Sequence, residues 1–141
     1  MNFINYTIKA QEAIQKASEI AGGNQQQAIE PAHILKGLMT VDENVISHLL
    51  KKLQVNINHT TAELDQHIAA LPKVSGSNIY LSNSSNSILQ KAQTYLKEFG
   101  DEFISVEHLL LALLSSSDKA ATLLKDQGAT EKDLKLAIKE L

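Results

Sequence analysis

The chain has 141 residues, a formal net charge of −3, no cysteine and no tryptophan. This length is enough for about one domain with one hydrophobic core. The absence of cysteine excludes disulfides and thiol chemistry. With its negative net charge, the chain lacks the excess of Lys and Arg that is typical of nucleic-acid-binding proteins. No apolar run approaches the ~20 residues of a membrane-spanning helix, and the N-terminus shows no signal segment. We therefore expect a cytoplasmic protein that binds neither nucleic acid nor membrane.

Two helices are predicted in the first part of the chain. Thr7 can cap the first helix, because its side-chain oxygen can accept a hydrogen bond from the first turn. Apolar residues then recur at helical spacing until Gly22-Gly23, which stops the helix. Pro31 fits the first position of the second helix, where no N–H is required. That helix is expected to end near Thr40.

Two more helices and a loop follow. Asn58 is the predicted cap of the fourth helix, and Pro72 ends that helix. The stretch 73–86 is rich in Ser, Gly and Asn, which predicts a loop. No run alternates apolar and polar residues, so no strand is expected. The third helix is predicted from an apolar stripe formed by Val45, Ile46, Leu49, Leu50 and Leu53.

The remaining chain predicts four further helices. Gly100 turns the chain out of the fifth helix, and Ser105 can cap the sixth. Glu107 lies in the first turn of the sixth helix, where the helix dipole favours a carboxylate. Asp118 and Thr130 are predicted caps of the seventh and eighth helices. The apolar positions of the fifth helix are Ile88, Leu89, Ala92, Leu96 and Phe99.

The body of the sixth helix, 109–114, is apolar at every position. A helix that is apolar all round lies in the centre of a core. The same pattern occurs earlier in the chain, where 29–39 aligns with 104–114 without a gap. The chain is therefore interpreted as two copies of one helical unit.

This duplication sets the predicted architecture. We expect an all-α fold, with eight helices as two pseudo-repeats of four helices packed into one domain. Each repeat has too little chain to bury its apolar faces alone, and their pairing is expected to leave a groove at the seam. Repeat one is placed at about 1–72, a linker at about 73–84 and repeat two at about 85–141.

The sequence offers little for catalysis. No glycine is followed by lysine, so no phosphate-binding loop is present and no catalytic residue is assigned. His33 and His108 occupy equivalent repeat positions, and the missing ligand spacing favours a structural role over metal binding. Asp101, Glu102 and Glu107 lie around one turn and helix start. They are interpreted either as a solvated turn with helix-dipole stabilisation or as part of a binding site.

Two motifs in these repeats resemble the Clp N-terminal domain, the module at the front of AAA+ unfoldases. They are Ile-Glu-Pro-x-His-Ile-Leu at 29–35 and Gly-Asp-x-Phe-Ile-Ser-x-Glu-His-Leu-Leu at 100–110. The stretch 71–76 is similar to the ClpB disaggregase branch. The resemblance covers nearly the whole chain. It implies an eight-helix pseudo-dimer and a longer parent, whose two ATPase modules, with ATP and Mg, are absent from these residues.

The resemblance also implies a function. Domains of this family engage unfolded or aggregated polypeptide for threading by the parent homohexamer, a stress-response chaperone activity. Substrate-binding positions of the ClpB branch map onto Thr7, Asp101 and Glu107. The fragment itself is expected to have no enzyme activity, no cofactor and no metal.

Three interpretations stay open. The domain is either a client-engaging module, or an adaptor-docking module of a ClpC/ClpA-type protease unfoldase, where the partner is a folded protein. A third reading is a free-standing protein without ATPase modules. The ClpC branch tends to carry Glu before the histidine in both repeats and can bind phosphorylated arginine there. Here Ala32 replaces the first Glu and only Glu107 remains, which favours the ClpB branch.

Overall fold

The computed structural model describes residues 3–42, 44–74, 76 and 78–141. Within them it shows eight helices and two very short strands, so the predicted all-α fold is confirmed. The elements are α1 (Ile8–Gly23), β1 (Ala28–Ile29), α2 (Pro31–Val41), α3 (Val45–Lys52), α4 (Ile57–Ala70), β2 (Tyr80–Leu81), α5 (Asn83–Phe99), α6 (Val106–Leu114), α7 (Lys119–Lys125) and α8 (Glu131–Lys139).

Most predicted helix starts are confirmed, and one is wrong. The side chains of Thr7, Asp118 and Thr130 cap α1, α7 and α8 as expected. The cap of α4 is Asn56 and not Asn58, because the Asn56 side-chain oxygen accepts the His59 N–H at 2.9 Å. Asn58 therefore lies inside the first turn of the helix that it was expected to cap.

The predicted loop at 73–86 is wrong in its second half. Tyr80 and Leu81 form β2, which pairs in parallel with β1, and α5 already begins at Asn83. Ser82 caps α5, since its hydroxyl accepts the Ser85 N–H at 3.1 Å. Two-residue strands are too short to show an alternating pattern, so no sequence pattern indicated them. Ser75 and Ser77 of this stretch lie outside the described residues.

The two repeats exchange the segments that precede their first helices. Tyr6, before α1, forms a parallel bridge with Ile104, before α6. Leu81, before α5, pairs with Ile29, before α2. In the repeat alignment Leu81 is the counterpart of Tyr6, and Ile29 is the counterpart of Ile104, so the two pairings are equivalent. Each repeat thus completes the other at a seam.

The core lies around α2 and α6, which occupy equivalent places in the two repeats. Each of them contacts helices of both repeats, and α2 and α6 contact each other. All the residues of 109–114 are at most 1% exposed. One hydrophobic core therefore serves both repeats, as predicted from the all-apolar sixth helix.

Candidate functional site

Thr7 ends the segment before α1, which we call the lead-in of repeat one. This segment crosses the segment before α6 in repeat two. The Thr7 N–H donates to the Ile104 carbonyl, and the Ile104 N–H donates to the Asn5 carbonyl, both at 2.8 Å. Ile104 lies midway between Asp101 and Glu107 along the chain. The structure therefore brings Thr7 to the segment that carries the other two predicted site residues. Their action on a bound polypeptide stays a prediction.

The Thr7 side chain is half-buried and already has a structural role. Its hydroxyl oxygen accepts the Ala10 N–H at 3.1 Å, which satisfies one free donor of the first turn of α1. A hydroxyl also carries one donor hydrogen. Thr7 can therefore cap α1 and still donate one hydrogen bond to a ligand.

Asp101 is bound to a buried histidine. Its Oδ2 lies 2.8 Å from Nε2 of His108, whose side chain is 1% exposed while that of Asp101 is 45% exposed. The Ser105 N–H donates to His108 Nδ1 at 2.9 Å, so that nitrogen is an acceptor and Nε2 carries the hydrogen. His108 thus donates to Asp101 and links the turn at Asp101 to the start of α6.

Glu107 is differently placed. It lies in the first turn of α6, where its carboxylate is half-buried and stabilised by the helix dipole. Among the described residues, none forms a hydrogen bond or ion pair with its side chain. Of the two carboxylates among the predicted site residues, that of Asp101 is bound to His108, whereas that of Glu107 has no partner in the described part of the chain.

Repeat one contains the neutral equivalent of the Asp101–His108 pair. His33 Nε2 lies 2.7 Å from Gln26 Oε1, and the Glu30 N–H donates to His33 Nδ1 at 2.9 Å. Gln26 and His33 are the counterparts of Asp101 and His108 in the repeat alignment. The structural role predicted for both histidines is confirmed, since each ring binds a residue of the loop before its helix.

His33 is fully buried, and this changes its protonation. Burial, and secondarily the charge of nearby His67, lowers the pKa of the His33 ring to about 4. In the unfolded chain the same ring has a pKa of about 6.5. Between these two values the unfolded state binds a proton that the folded state does not bind. The free energy of unfolding therefore falls as pH falls through this window, and this contribution is constant above it.

We expect His33 to make the domain acid-sensitive. The gap between the two pKa values corresponds to roughly 3 kcal/mol at most, lost between about pH 6.5 and pH 4. The measurement is urea unfolding across that range for the wild type, for His33→Gln and for the control His59→Gln, whose side chain is 55% exposed. The stability advantage of the wild type over His33→Gln should shrink as pH falls. An advantage that is the same at pH 4 and pH 7 would contradict this account.

The same crossing exposes large apolar side chains. Ile4 is 81% exposed, Ile8 75% and Phe103 50%. The backbone bonds across the Tyr6–Ile104 bridge hold these segments side by side. We call the surface formed by Ile4, Ile8 and Phe103 the crossing surface. Contiguous exposed apolar patches are typical of interaction sites, and these three residues are candidates for such a patch.

An apolar cleft of about 580 Å³ lies along α1, at the seam with β2. We call it the seam cleft. The polar part of its lining comes from the exposed side of α1, including Gln11 and Glu12. Apart from Ile79 of the predicted linker, its lining residues all belong to repeat one, so the groove expected between the two repeats stays a prediction. Its apolar lining is formed by Phe3, Ile8, Ile14, Ile29, Val41 and Ile79.

Two other clefts have different linings. The equivalent seam in repeat two is smaller, about 330 Å³, and is lined mainly by amide side chains of Asn5, Asn86, Gln90 and Gln93. A third cleft of about 640 Å³ lies between α5, the end of α6 and the start of α8, and serines dominate its lining. Of these three clefts, the one along α1 is therefore the apolar one.

Sequence reasoning missed the crossing surface. By its spacing Ile8 belongs to the apolar residues that predicted the first helix, yet it is 75% exposed at the first position of that helix. Ile4 and Phe103 precede the caps of α1 and α6 and belong to no helical stripe. An apolar residue just before a helix cap, at both of the helix starts that meet here, is the signal that could have identified them.

The described part of the chain has neither a cluster of metal ligands nor a membrane-spanning helix. No three His, Cys, Asp or Glu side chains in it are grouped so that they could hold a metal ion. No helix in it is long and apolar enough to cross a membrane.

Comparison with known proteins identifies the family. The family model described as the Clp repeat (R) N-terminal domain matches residues 5–127. The chain is 54% identical over 141 residues to the chaperone protein ClpB of Bacteroides thetaiotaomicron, an alignment that covers 100% of this chain and 16% of that protein. It is 45% identical to ClpB of Porphyromonas gingivalis with the same coverage. The chain thus spans about one sixth of the length of these relatives.

Solved structures agree on the fold. The N-terminal domain of Hsp104 from Candida albicans superposes with a TM-score of 0.81 at 21% identity, over 94% of this chain and 87% of that one. The N-terminal domain of ClpD from Arabidopsis thaliana gives a TM-score of 0.75 at 20% identity, over 97% and 94%. Because the family model matches residues 5–127, most of this chain, the chain belongs to the Clp repeat N-terminal domain family.

Proposed function

We propose that this domain engages unfolded or aggregated polypeptide as the N-terminal module of a ClpB-type disaggregase. One observation carries the proposal. Three large apolar side chains are 50% to 81% exposed at the crossing surface, and one of them, Ile8, also lines the apolar seam cleft. A folded partner hides its apolar side chains, whereas an unfolded chain offers them in extended form.

The seam cleft has the size and lining for such a client. A cleft of about 580 Å³ lined by Ile, Val and Phe side chains can take a few apolar side chains from an extended segment. Burial of apolar area would supply most of the attraction. Because this attraction is not directional, it suits a domain that accepts many different unfolded sequences.

Thr7, Asp101 and Glu107 form the polar edge of the proposed site. Carboxylates at such an edge orient clients and favour those with basic residues, and they add little affinity. An exposed charge pair contributes about 0–1 kcal/mol, and salt screens it. Thr7 offers one hydroxyl hydrogen to a client carbonyl, as its position as the α1 cap allows.

The parent protein would supply the rest of the activity. In this proposal, segments beyond residue 141 contribute ATPase modules that bind ATP and Mg and assemble as a homohexamer in the cytoplasm. The domain itself performs no chemical step. The adaptor-docking alternative has no observation in this structure that favours it, and it serves as an outcome of the test below.

The test compares one protein in two states. The 141-residue chain is titrated against a fluorescently labelled client protein that is held unfolded by reduction and alkylation of its disulfides. It is also titrated against the same labelled client protein in native form. We expect the unfolded form to bind at least about tenfold more tightly, since only it exposes apolar segments. Equal binding of both forms, or no binding of the unfolded form, would overturn the proposal and favour a folded partner.

A further inference from the structure

We propose that the cleft between α5, the end of α6 and the start of α8 binds a small basic amino acid, which carries one carboxylate and two ammonium groups. We call this cleft the serine cleft. It shares no lining residue with the crossing surface or the seam cleft, so the inference goes beyond the proposed function and does not depend on it. The side chains that would meet the ligand are Ser84, Ser87, Lys91, Ser117, Asp118 and Glu131.

The serine cleft is open because two long side chains of repeat one are replaced by serines in repeat two. In the repeat alignment Ser84 corresponds to Lys9 and Ser87 to Glu12. The Lys9 ammonium lies 3.7 Å from the Glu12 carboxylate and donates to the Val41 carbonyl at 3.3 Å. Lys9 thus spans from α1 to the end of α2. A serine is too short to span from α5 to the end of α6, and the equivalent space stays free.

The floor of the cleft also differs between the repeats. Gly37 lets α2 lie directly on α1, since a Cβ atom there would be 2.4 Å from the Ala13 carbonyl oxygen. The counterparts of Gly37 and Ala13 in repeat two are Ala112 and Ile88, which are both larger and both buried. Accordingly α5 and α6 contact each other less extensively than α1 and α2 do. These two apolar side chains hold α5 and α6 apart beneath the serines.

The hydroxyl groups of the cleft are available to a ligand. Ser84, Ser87 and Ser117 are exposed, and in the described part of the chain none of their hydroxyls forms a hydrogen bond. Each hydroxyl can donate one hydrogen bond and accept others. A cleft of about 640 Å³ with such a lining suits a small polar ligand and not an apolar one.

Three charged groups around the cleft define the charge of the ligand. Lys91 lies on the α5 side, whereas Asp118 and Glu131 lie at the starts of α7 and α8. Neither Lys91 nor Glu131 forms an ion pair with another described residue, and Asp118 uses one oxygen to accept the Ala120 N–H. One positive and two negative groups are complementary to a ligand with one carboxylate and two ammonium groups. A basic amino acid has this set of charges.

The protein itself places ammonium groups at this point of both repeats. In repeat one the Lys9–Glu12 pair puts an ammonium and a carboxylate where the serine cleft has open space. In repeat two Lys125 Nζ donates at 2.9 Å to the carbonyl of Ser116, the counterpart of Val41. Carbonyls at the end of a helix attract cations, because they carry the negative end of the helix dipole. An amino acid would therefore restore to repeat two the charges that repeat one supplies from its own chain.

The test titrates L-lysine into the isotopically labelled whole chain and follows the amide signals by NMR, with ionic strength held constant. We expect shifts around Ser84, Ser117 and Glu131, with a dissociation constant of about 1 mM for a ligand of about ten non-hydrogen atoms. Cadaverine lacks the carboxylate and 6-aminohexanoate lacks the α-ammonium group. Each should bind at least about threefold more weakly, because one charge of the cleft stays unmatched. Equal binding of all three compounds would overturn the assignment.

Charge variants locate the site. Glu131→Gln should weaken L-lysine binding about threefold to tenfold. The matched control is Asp133→Asn, which removes the same charge from the same turn of α8 outside the cleft and should bind as the wild type does. Equal weakening by both variants would show a general charge effect and contradict the site. Lys91→Gln should weaken the binding of L-lysine several-fold and leave that of cadaverine unchanged.

A final variant closes the cleft with the chain's own chemistry. Ser84→Lys combined with Ser87→Glu gives repeat two the ion pair of repeat one, and it should abolish detectable binding while circular dichroism shows a folded domain. Wild-type affinity in this folded double variant would overturn the proposal. So would the absence of shifts in the wild type up to about 20 mM L-lysine. Neither result would affect the binding of unfolded polypeptide, so the two proposals fail separately.

Discussion

Replacing Leu113 by alanine should lower the free energy of unfolding by about 2–5 kcal/mol. Leu113 is 0% exposed on α6, so truncation leaves a cavity in the core that both repeats share. Leu38, its counterpart on α2, is also 0% exposed, and its replacement by alanine should cost a similar amount. The measurement is urea unfolding followed by circular dichroism.

The control for these two variants is Leu136→Ala on the exposed side of α8. This change should alter stability by no more than about 0.5 kcal/mol, because Leu136 is 52% exposed. The expectation of equal losses at positions 38 and 113 comes from the duplication. A large loss at one position with almost none at the other would contradict a core in which α2 and α6 have equivalent places.

The second large effect is expected for Gly37→Ala. A Cβ atom at this position would lie 2.4 Å from the Ala13 carbonyl oxygen and 3.2 Å from the Ala17 nitrogen, so α1 and α2 would have to move apart. Both obstacles are backbone atoms of a helix and cannot rotate away. We expect a loss of about 1–3 kcal/mol, which outweighs the gain of up to about 1 kcal/mol in helix propensity.

The matched control is Gly23→Ala. Gly23 is the last residue of α1, and a Cβ there would meet no atom within 4 Å. This variant should be neutral or slightly stabilising. Equal stability changes for Gly37→Ala and Gly23→Ala, measured by the same unfolding experiment, would show that α1 and α2 do not approach as closely as described.

The duplication explains how much of the fold was predictable. Periodicity and helix caps identified all eight helices, because each signal lies within a few residues of chain. The alignment of 29–39 with 104–114 placed α2 and α6 at the centre, since the same apolar pattern must be buried twice. What stayed hidden was the exchange of the lead-in segments. The pairing of Tyr6 with Ile104 joins residues from distant parts of the chain, and no local sequence pattern predicts such a contact.

The candidate site was predictable in part for the same reason. The positions of Thr7 and Glu107 at helix starts follow from local sequence, as does the equivalence of His33 and His108. The hydrogen bond from His108 to Asp101 was not foreseen, because it depends on how the turn at Gly100 directs the chain back along α6. The exposure of Ile8 was missed since its spacing matches the buried stripe of α1.

The central claim is that unfolded polypeptide binds where the lead-in of repeat one crosses repeat two. The most direct test is an NMR titration of the isotopically labelled chain with a permanently unfolded polypeptide that carries a nitroxide label. We expect amide signals to broaden first around Thr7, Phe103 and Glu107 and along the exposed side of α1, with the equivalent positions near Ser82 and Ala32 affected far less. Broadening centred on α4 or α8, or equal broadening at the two equivalent crossings, would contradict the account.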